Sequence, residues 1–265
     1  MMDKHTMLQG SINGREAFMR RIANRLGRGE PLASAPQRDV RGVPEHYAVV
    51  KLGMSDNVQL FLESWSALKG QALVVKEAEA PQAIGAWLRQ IAAEHGVTRI
   101  ARWDHDGLEA LGLDETLAAA GIETVPWRER EDDPEGAARD AAASPGGPMW
   151  ANRSPLLRMT ERAQLGLVWP DCAIANTGTL ALLARGGQGR SVSLVTDILF
   201  AVFRADQLVT RLGEAFELIR RRFPDAPSLP SSINFVTGPS RSADIENDLT
   251  IGVHGPGKVY AVIIE

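Results

Sequence analysis

The chain has 265 residues, 44% of them hydrophobic and 23% charged, with a formal net charge of -4. That is enough for one large domain, or one domain with an added N-terminal piece, and the mildly acidic balance gives no reason to expect nucleic acid as a partner. Cys172 is the single cysteine, which excludes an internal disulfide framework, a cysteine zinc site and an iron–sulfur cluster held by this chain alone.

The N-terminal residues Met1 to Ser11 contain no apolar segment of the secretory type. The most apolar run, Ile198 to Phe203, is far shorter than the roughly 20 residues that span a bilayer. A cytoplasmic protein without a membrane span is expected.

The first predicted element is a helix from Arg15 to Leu26, with Asn13 as N-cap and Glu16 completing a capping box. Phe18, Ile22 and Leu26 give it a narrow apolar stripe, Gly27 stops it, and Arg15, Arg20, Arg21, Arg25 and Arg28 make the remainder basic. That basic face reads as a solvated surface, with an RNA or membrane contact as the alternative. The Pro-, Ala- and Arg-rich stretch from Gly29 to Pro44 reads as a linker, so residues 1–45 are taken as a helix plus linker and 46–265 as the main domain.

Beyond it the pattern alternates. Ser55 to Leu68 is predicted helical with Val58, Phe61, Leu62 and Trp65 on one side, and Gln71 to Val75 is a short strand. Pro81 to Glu94 is helical, with proline in its first turn and Ile84, Trp87, Leu88 and Ile91 facing inward. Thr98 to Ala101 and Ile122 to Val125 are further strands. Such alternation predicts an α/β fold with a mainly parallel sheet flanked by helices. Glu129 to Pro148, acidic and then rich in Ala, Pro and Gly, reads as an exposed excursion with some helix.

The C-terminal half is richer in strand signals: Gly166 to Trp169, Cys172 to Ala175, Thr179 to Ala184, Ser191 to Thr196 and Leu199 to Arg204. An amphipathic helix follows from Gln207 to Phe223, with Leu212, Phe216, Ile219 and Phe223 as its inner face. Asn234 to Thr237 and Val259 to Ile264 are predicted as buried strands, the last tying the C-terminus into the sheet.

Three glycine-rich segments carry the candidate chemistry. They are Asn176-Thr177-Gly178-Thr179, then Gly187-Gln188-Gly189-Arg190, then Gly238 to Asp244 together with His254-Gly255. Loops at strand ends of an open α/β sheet are where ligands bind, and glycine lets backbone N–H groups approach an anion. Ser240 and the threonines add hydroxyl donors, and Arg190 and Arg241 suit bidentate contact with a carboxylate or phosphate. Simpler readings stand beside these. Thr177-Gly178-Thr179 is also compatible with a tight turn, Gly186 to Gly189 with a surface hairpin loop, and Arg241 to Asp248 with a short helix in which Arg241 pairs with Asp244. His254 is either a general acid–base or a locally bonded loop residue. Asp104-His105-Asp106 reads as a polar turn, and no metal site is expected. No segment matches a Walker loop or a dinucleotide fingerprint.

These loops also carry a resemblance. Ala175-Asn176-Thr177-Gly178-Thr179, Gly187-Gln188-Gly189-Arg190, Arg204-Ala205-Asp206-Gln207, the long Thr237-Gly238-Pro239-Ser240-Arg241-Ser242-Ala243-Asp244-Ile245-Glu246 run and Gly252-Val253-His254-Gly255-Pro256 resemble the lactate-utilisation (LUD) domain. The Asn13 to Phe18 helix start and Leu26-Gly27-Arg28 resemble its protein C branch. The resemblance implies a fold like that of the phosphosugar isomerases and CoA-transferases. It also implies a non-redox, accessory role in oxidising L-lactate to pyruvate, beside partners that carry the iron–sulfur clusters. A free-standing enzyme or binding protein for a phosphosugar or CoA-type anion is the alternative. Many relatives carry a glutamate where this chain has Asn176, and an amide cannot readily serve as the covalent nucleophile that a glutamate provides in related transferases.

Overall fold

The computed structural model describes residues 14–34, 51–128, 155–243 and 249–265. Asn13, Asp244 and the excursion from Glu129 to Pro148 lie outside the described residues. The chain divides into two compact units, Met1–Val49 and Val50–Glu265.

In the first unit, α1 spans Arg15–Arg25. Gly14 holds the N-cap position in a left-handed conformation, with no side-chain cap bond. Gly27, with φ 70°, turns the chain back, so that Met19, Ile22, Leu26, Pro31 and Leu32 line a shallow groove within this unit.

The second unit begins with α2, Met54–Ala67, which buries Val58, Phe61 and Trp65 at helical spacing. Strand β1 (Gln71–Val75) leads to α3 (Ala80–His95), whose Ile84, Leu88 and Ile91 are buried and whose C-cap is Gly96 at φ 67°. Then come β2 (Arg99–Arg102), the short helices α4 (Asp106–Ala110) and α5 (Leu113–Ala118), and β3 (Glu123–Pro126). After α6 (Pro155–Glu161) follow β4 (Leu165–Val168), β5 (Cys172–Ile174), β6 (Thr179–Ala184), α7 (Ser191–Leu194) and β7 (Ile198–Arg204). The chain closes with β8 (Leu208–Val209), α8 (Leu212–Arg222), β9 (Ser232–Thr237), the hairpin β10 (Arg241–Ala243) and β11 (Leu249–Ile251), and β12 (Lys258–Ile264).

Six strands form one sheet in the order β1-β12-β7-β4-β2-β3, all parallel. The expected helix-flanked parallel sheet is therefore present. Its central strands are buried on both faces, which is why β7 and β12 read as unbroken apolar runs. The last strand lies between β1 and β7, and Glu265 completes the edge by accepting from Glu77 N–H and donating to the Val75 carbonyl.

A second, mixed sheet runs β8-β5-β6-β9, with β5/β6 and β6/β9 antiparallel. It absorbs the strand predicted around Cys172, whose thiol is buried beside Ile174, Ala181, Leu183, Ala215 and Ile219.

Three expectations are corrected. Ser191 to Thr196, predicted as a strand, starts with helix α7. Ser193 Oγ donates to the Arg190 carbonyl and Thr196 Oγ1 to the Val192 carbonyl, so local hydroxyl bonds favour the helical turn over a ladder. This turn lies tight on β4: a Cβ at Gly166 would stand 1.9 Å from the Val192 carbonyl oxygen. The helix predicted from Gln207 starts at Leu212, after β8, and buries Ala215 and Ile219, whereas Leu212 and Phe216 are about half exposed at 45% and 50%. Arg241 to Ala243 is a strand paired with Leu249 to Ile251 rather than the start of a helix.

Candidate functional site

The predicted loops segregate to different parts of the molecule. The first and third come together along the C-terminal end of α2. A short 3-10 turn, Ala175–Thr177, and Gly178 in the left-handed region at φ 56° connect β5 to β6. A Cβ on Gly178 would lie 2.9 Å from the Trp65 nitrogen, so both conformation and space require glycine. Gly238, at φ 70°, meets the same helix one turn on, where its Cβ would be 2.9 Å from Leu68 Cβ. The threonines follow from this packing: Thr179 Oγ1 is linked to Thr177 Oγ1 at 2.8 Å and to Thr237 Oγ1 at 2.7 Å. Arg241 donates to the Leu68 carbonyl at 2.8 Å, capping the helix end.

Ser240 extends this string. Its N–H donates to the Pro256 carbonyl and its carbonyl accepts from Gly252 N–H. A Cβ on Gly255 would be 3.4 Å from that of Ser240. His254 is exposed at the loop's outer side. Asn176 is exposed, its N–H donating to the Thr210 carbonyl. Buried Thr210 in turn donates its hydroxyl to Asn57 Oδ1 at 3.0 Å and accepts from Leu52 N–H. Asn176 thus marks the junction of the second sheet with the start of α2.

The second loop lies at the edge where the main strands end. Asp104 N–H donates to the Gly187 carbonyl and Trp103 Nε1 to the Gly189 carbonyl at 2.9 Å. A Cβ on Gly187 would clash with Asp104 and one on Gly189 with Trp127. Gln188 is buried, and its Oε1 accepts no hydrogen bond among the described residues. Arg190 is exposed. Asp104-His105-Asp106, read from the sequence as a polar turn, is the entry to α4, which starts at Asp106: His105 Nδ1 accepts from Gly107 N–H at 3.0 Å and caps the helix. The ring stacks on Trp169 with centroids 5.2 Å apart. Burial, opposed by nearby Asp106 and Asp171, lowers its pKa below the ordinary histidine value.

Sequence reading missed a third feature, at the edge where the main strands begin. Two adjoining clefts of about 480 and about 140 Å³ share His95, Ile251, Gly257 and Lys258. Asp197 lines the larger, and Lys69 and Tyr260 the smaller. His95 Nε2 and the Tyr260 hydroxyl share a 3.1 Å hydrogen bond, and the tyrosine ring is held edge-on to Trp87 at 5.4 Å. Burial raises the Tyr260 pKa, assisted by Glu94. These residues come from α3, the α2–β1 turn and the starts of β7 and β12, and no local motif joins them. Lys69 alone left a trace: it occupies a helix-end position next to Gly70 where glycine is the ordinary residue. Among the described residues no group of three or more His, Cys, Asp or Glu side chains is placed to hold a metal. No helix among them is long and apolar enough to cross a membrane.

The LUD domain family matches residues 58–264. A lactate utilization protein C from Halalkalibacterium halodurans is 30% identical over 255 residues, covering 96% of this chain and 99% of the relative. One from Geobacillus sp. (strain WCH70) is 27% identical, covering 97% and 98% respectively. The crystal structure of a DUF162 family protein from Deinococcus radiodurans superposes with a TM-score of 0.53 at 21% identity, covering 81% of this chain and 99% of that one. At that identity the likeness speaks for the fold.

Proposed function

The chain belongs to the LUD domain family, and from that premise we propose that it is a cytoplasmic, non-redox component of bacterial lactate utilisation. In this reading it works beside iron–sulfur proteins that oxidise L-lactate to pyruvate. The observation that carries the reading is the end-to-end match to lactate utilization protein C relatives, which extends over 96% and 97% of this chain for the two described above.

The division of labour has a physical basis. A cluster needs several thiolates, and this chain offers Cys172 alone. Burial, with Asp171 adding to it, pushes that thiol's pKa up to about 12, so it stays protonated and unavailable as a ligand. Electrons from lactate would then pass through partners. This subunit would contribute a rigid α/β frame, a threonine–glycine string on α2 and a cleft for a small molecule.

The test is reconstitution. The tagged full-length chain is recovered from cells grown on lactate, and lactate-dependent dye reduction is measured for it alone and with whatever co-purifies. The reading expects iron–sulfur proteins in the recovered material, activity only in their presence, and loss of that activity when this chain is removed. Lactate oxidation by the isolated chain would overturn it.

A further inference from the structure

The cleft at the strand-beginning edge has an unusual set of groups. Lys258 lines both of the adjoining clefts there, with Asp197 in the larger and Lys69 in the smaller; all three side chains are exposed, and among the described residues none of the three is in an ion pair. Glu94, the other carboxylate on its wall, stands 3.4 Å from His95. The adjoining clefts therefore bring together two ammonium groups, the Asp197 carboxylate and the His95–Tyr260 hydrogen bond.

The backbone at Lys69 adds an independent observation. Lys69 N–H donates to the Ser66 carbonyl and Gly70 N–H to the Trp65 carbonyl, the paired bonds of a helix end that requires a left-handed residue at position 69. Glycine adopts that conformation without penalty. Here it is a lysine at φ 70°, the sole non-glycine residue with positive φ among the described residues. The fold thus tolerates local strain where the strained residue's side chain is an ammonium beside the cleft, a pattern expected of functional positions.

We propose that this cleft binds a small hydroxycarboxylate. Its carboxylate is taken by Lys69 and Lys258, and its hydroxyl is placed against Asp197 and the His95–Tyr260 pair. Two cations alone would select any small anion. The unpaired Asp197 repels a bare di-anion and accepts a hydrogen bond from a hydroxyl, which favours an anion that carries one. The choice of a 2-hydroxy acid within that class rests on the lactate reading above.

The experiment is ligand titration of the purified full-length chain, by calorimetry and saturation-transfer NMR, with L-lactate, propionate and inorganic phosphate. Saturable binding of L-lactate is expected, with weaker binding of propionate, which lacks the hydroxyl, and of phosphate. Loss of a charged contact weakens binding by roughly tenfold or more, so Lys258→Met and Lys69→Gly should each do so. Lys69→Gly should also raise the melting temperature, which separates lost contact from lost fold. Absence of saturable lactate binding, equal binding of all three anions, or unchanged affinity in both variants would overturn the site. Growth arms keep this distinct from the lactate role. If cells carrying only Lys258→Met grow on lactate like wild type, while cells without the chain do not, the cleft proposal fails and that role stands.

Discussion

The hydroxyls of Thr179 and Thr237 lie 2.7 Å apart across the β6–β9 ladder, where the two residues are direct partners. Thr179 is buried and Thr237 exposed, so the bond closes the ladder's end between a dry and a wet position. Thr179→Val removes the hydroxyl at nearly constant volume and should cost about 1 kcal/mol. Thr237→Val, where water can replace the lost partner, should cost less. Urea titrations of the two variants compare them directly.

Two glycines in left-handed conformations separate strain from crowding. Gly178→Ala adds a methyl group against the backbone of α2 at a φ of 56°, whereas Gly186, at φ 46°, faces open space. The Gly186→Ala change should cost about 1 kcal/mol from conformation alone. Gly178→Ala should cost about 2 kcal/mol or more, because the helix must also move. Equal losses in denaturant midpoints would show that α2 does not press on the turn.

Arg102 is buried at the end of β2, and its guanidinium makes a bidentate contact with Asp114, with bonds of 2.7 and 3.0 Å. Asp114→Ala leaves that charge without its partner and should cost about 1–3 kcal/mol, with the half-exposed aspartate limiting the loss. The comparable pair at Arg99 and Glu123 lies on the surface, where Glu123 is half exposed. Glu123→Ala should cost about 0.5 kcal/mol or less. Thermal unfolding of both variants measures the contrast.

His105 predicts a pH dependence. Its folded-state pKa lies below the ordinary histidine value of about 6.5, chiefly through burial. The unfolded chain then binds the proton more readily than the folded one. Stability from this residue is fully present above about pH 6.5 and is lost as pH falls through that value toward the folded pKa. His105→Asn keeps a capping side chain at α4 and should lower the loss of stability between pH 7.5 and 5.5. An unchanged slope in urea unfolding at the two pH values would remove His105 from the acid response.

The parallel sheet was legible because its strands are short apolar runs separated by helices with clear stripes, as at Ile84, Leu88 and Ile91. The second sheet was not, because Cys172 to Ile174 looks like any other apolar run. Only its pairing with β6 and β8 sets it apart. At Ser191 to Thr196 alternation misled, since hydroxyl bonds to preceding carbonyls are local chemistry that the hydrophobic pattern does not register. Periodicity turns Phe216 inward, yet it sits half exposed against Phe235, because the small Ala215 lets α8 lie close to the sheet. Among the site residues, the glycines at 178, 187 and 238 stand out in the sequence as places where an anion could approach, and in the structure it is protein that approaches them, at Trp65, Asp104 and Leu68. That two of them share α2 while the third lies at the opposite sheet edge depends on strand order. His95, Tyr260, Lys258 and Asp197 were invisible, and Lys69 left only its helix-end trace, because four separate elements bring them together.

Growth on L-lactate as sole carbon source is the most direct measurement of the central claim. Deletion of the gene should abolish that growth without affecting growth on pyruvate, and the intact gene should restore it. A deletion strain that grows on lactate as fast as its parent would contradict the account.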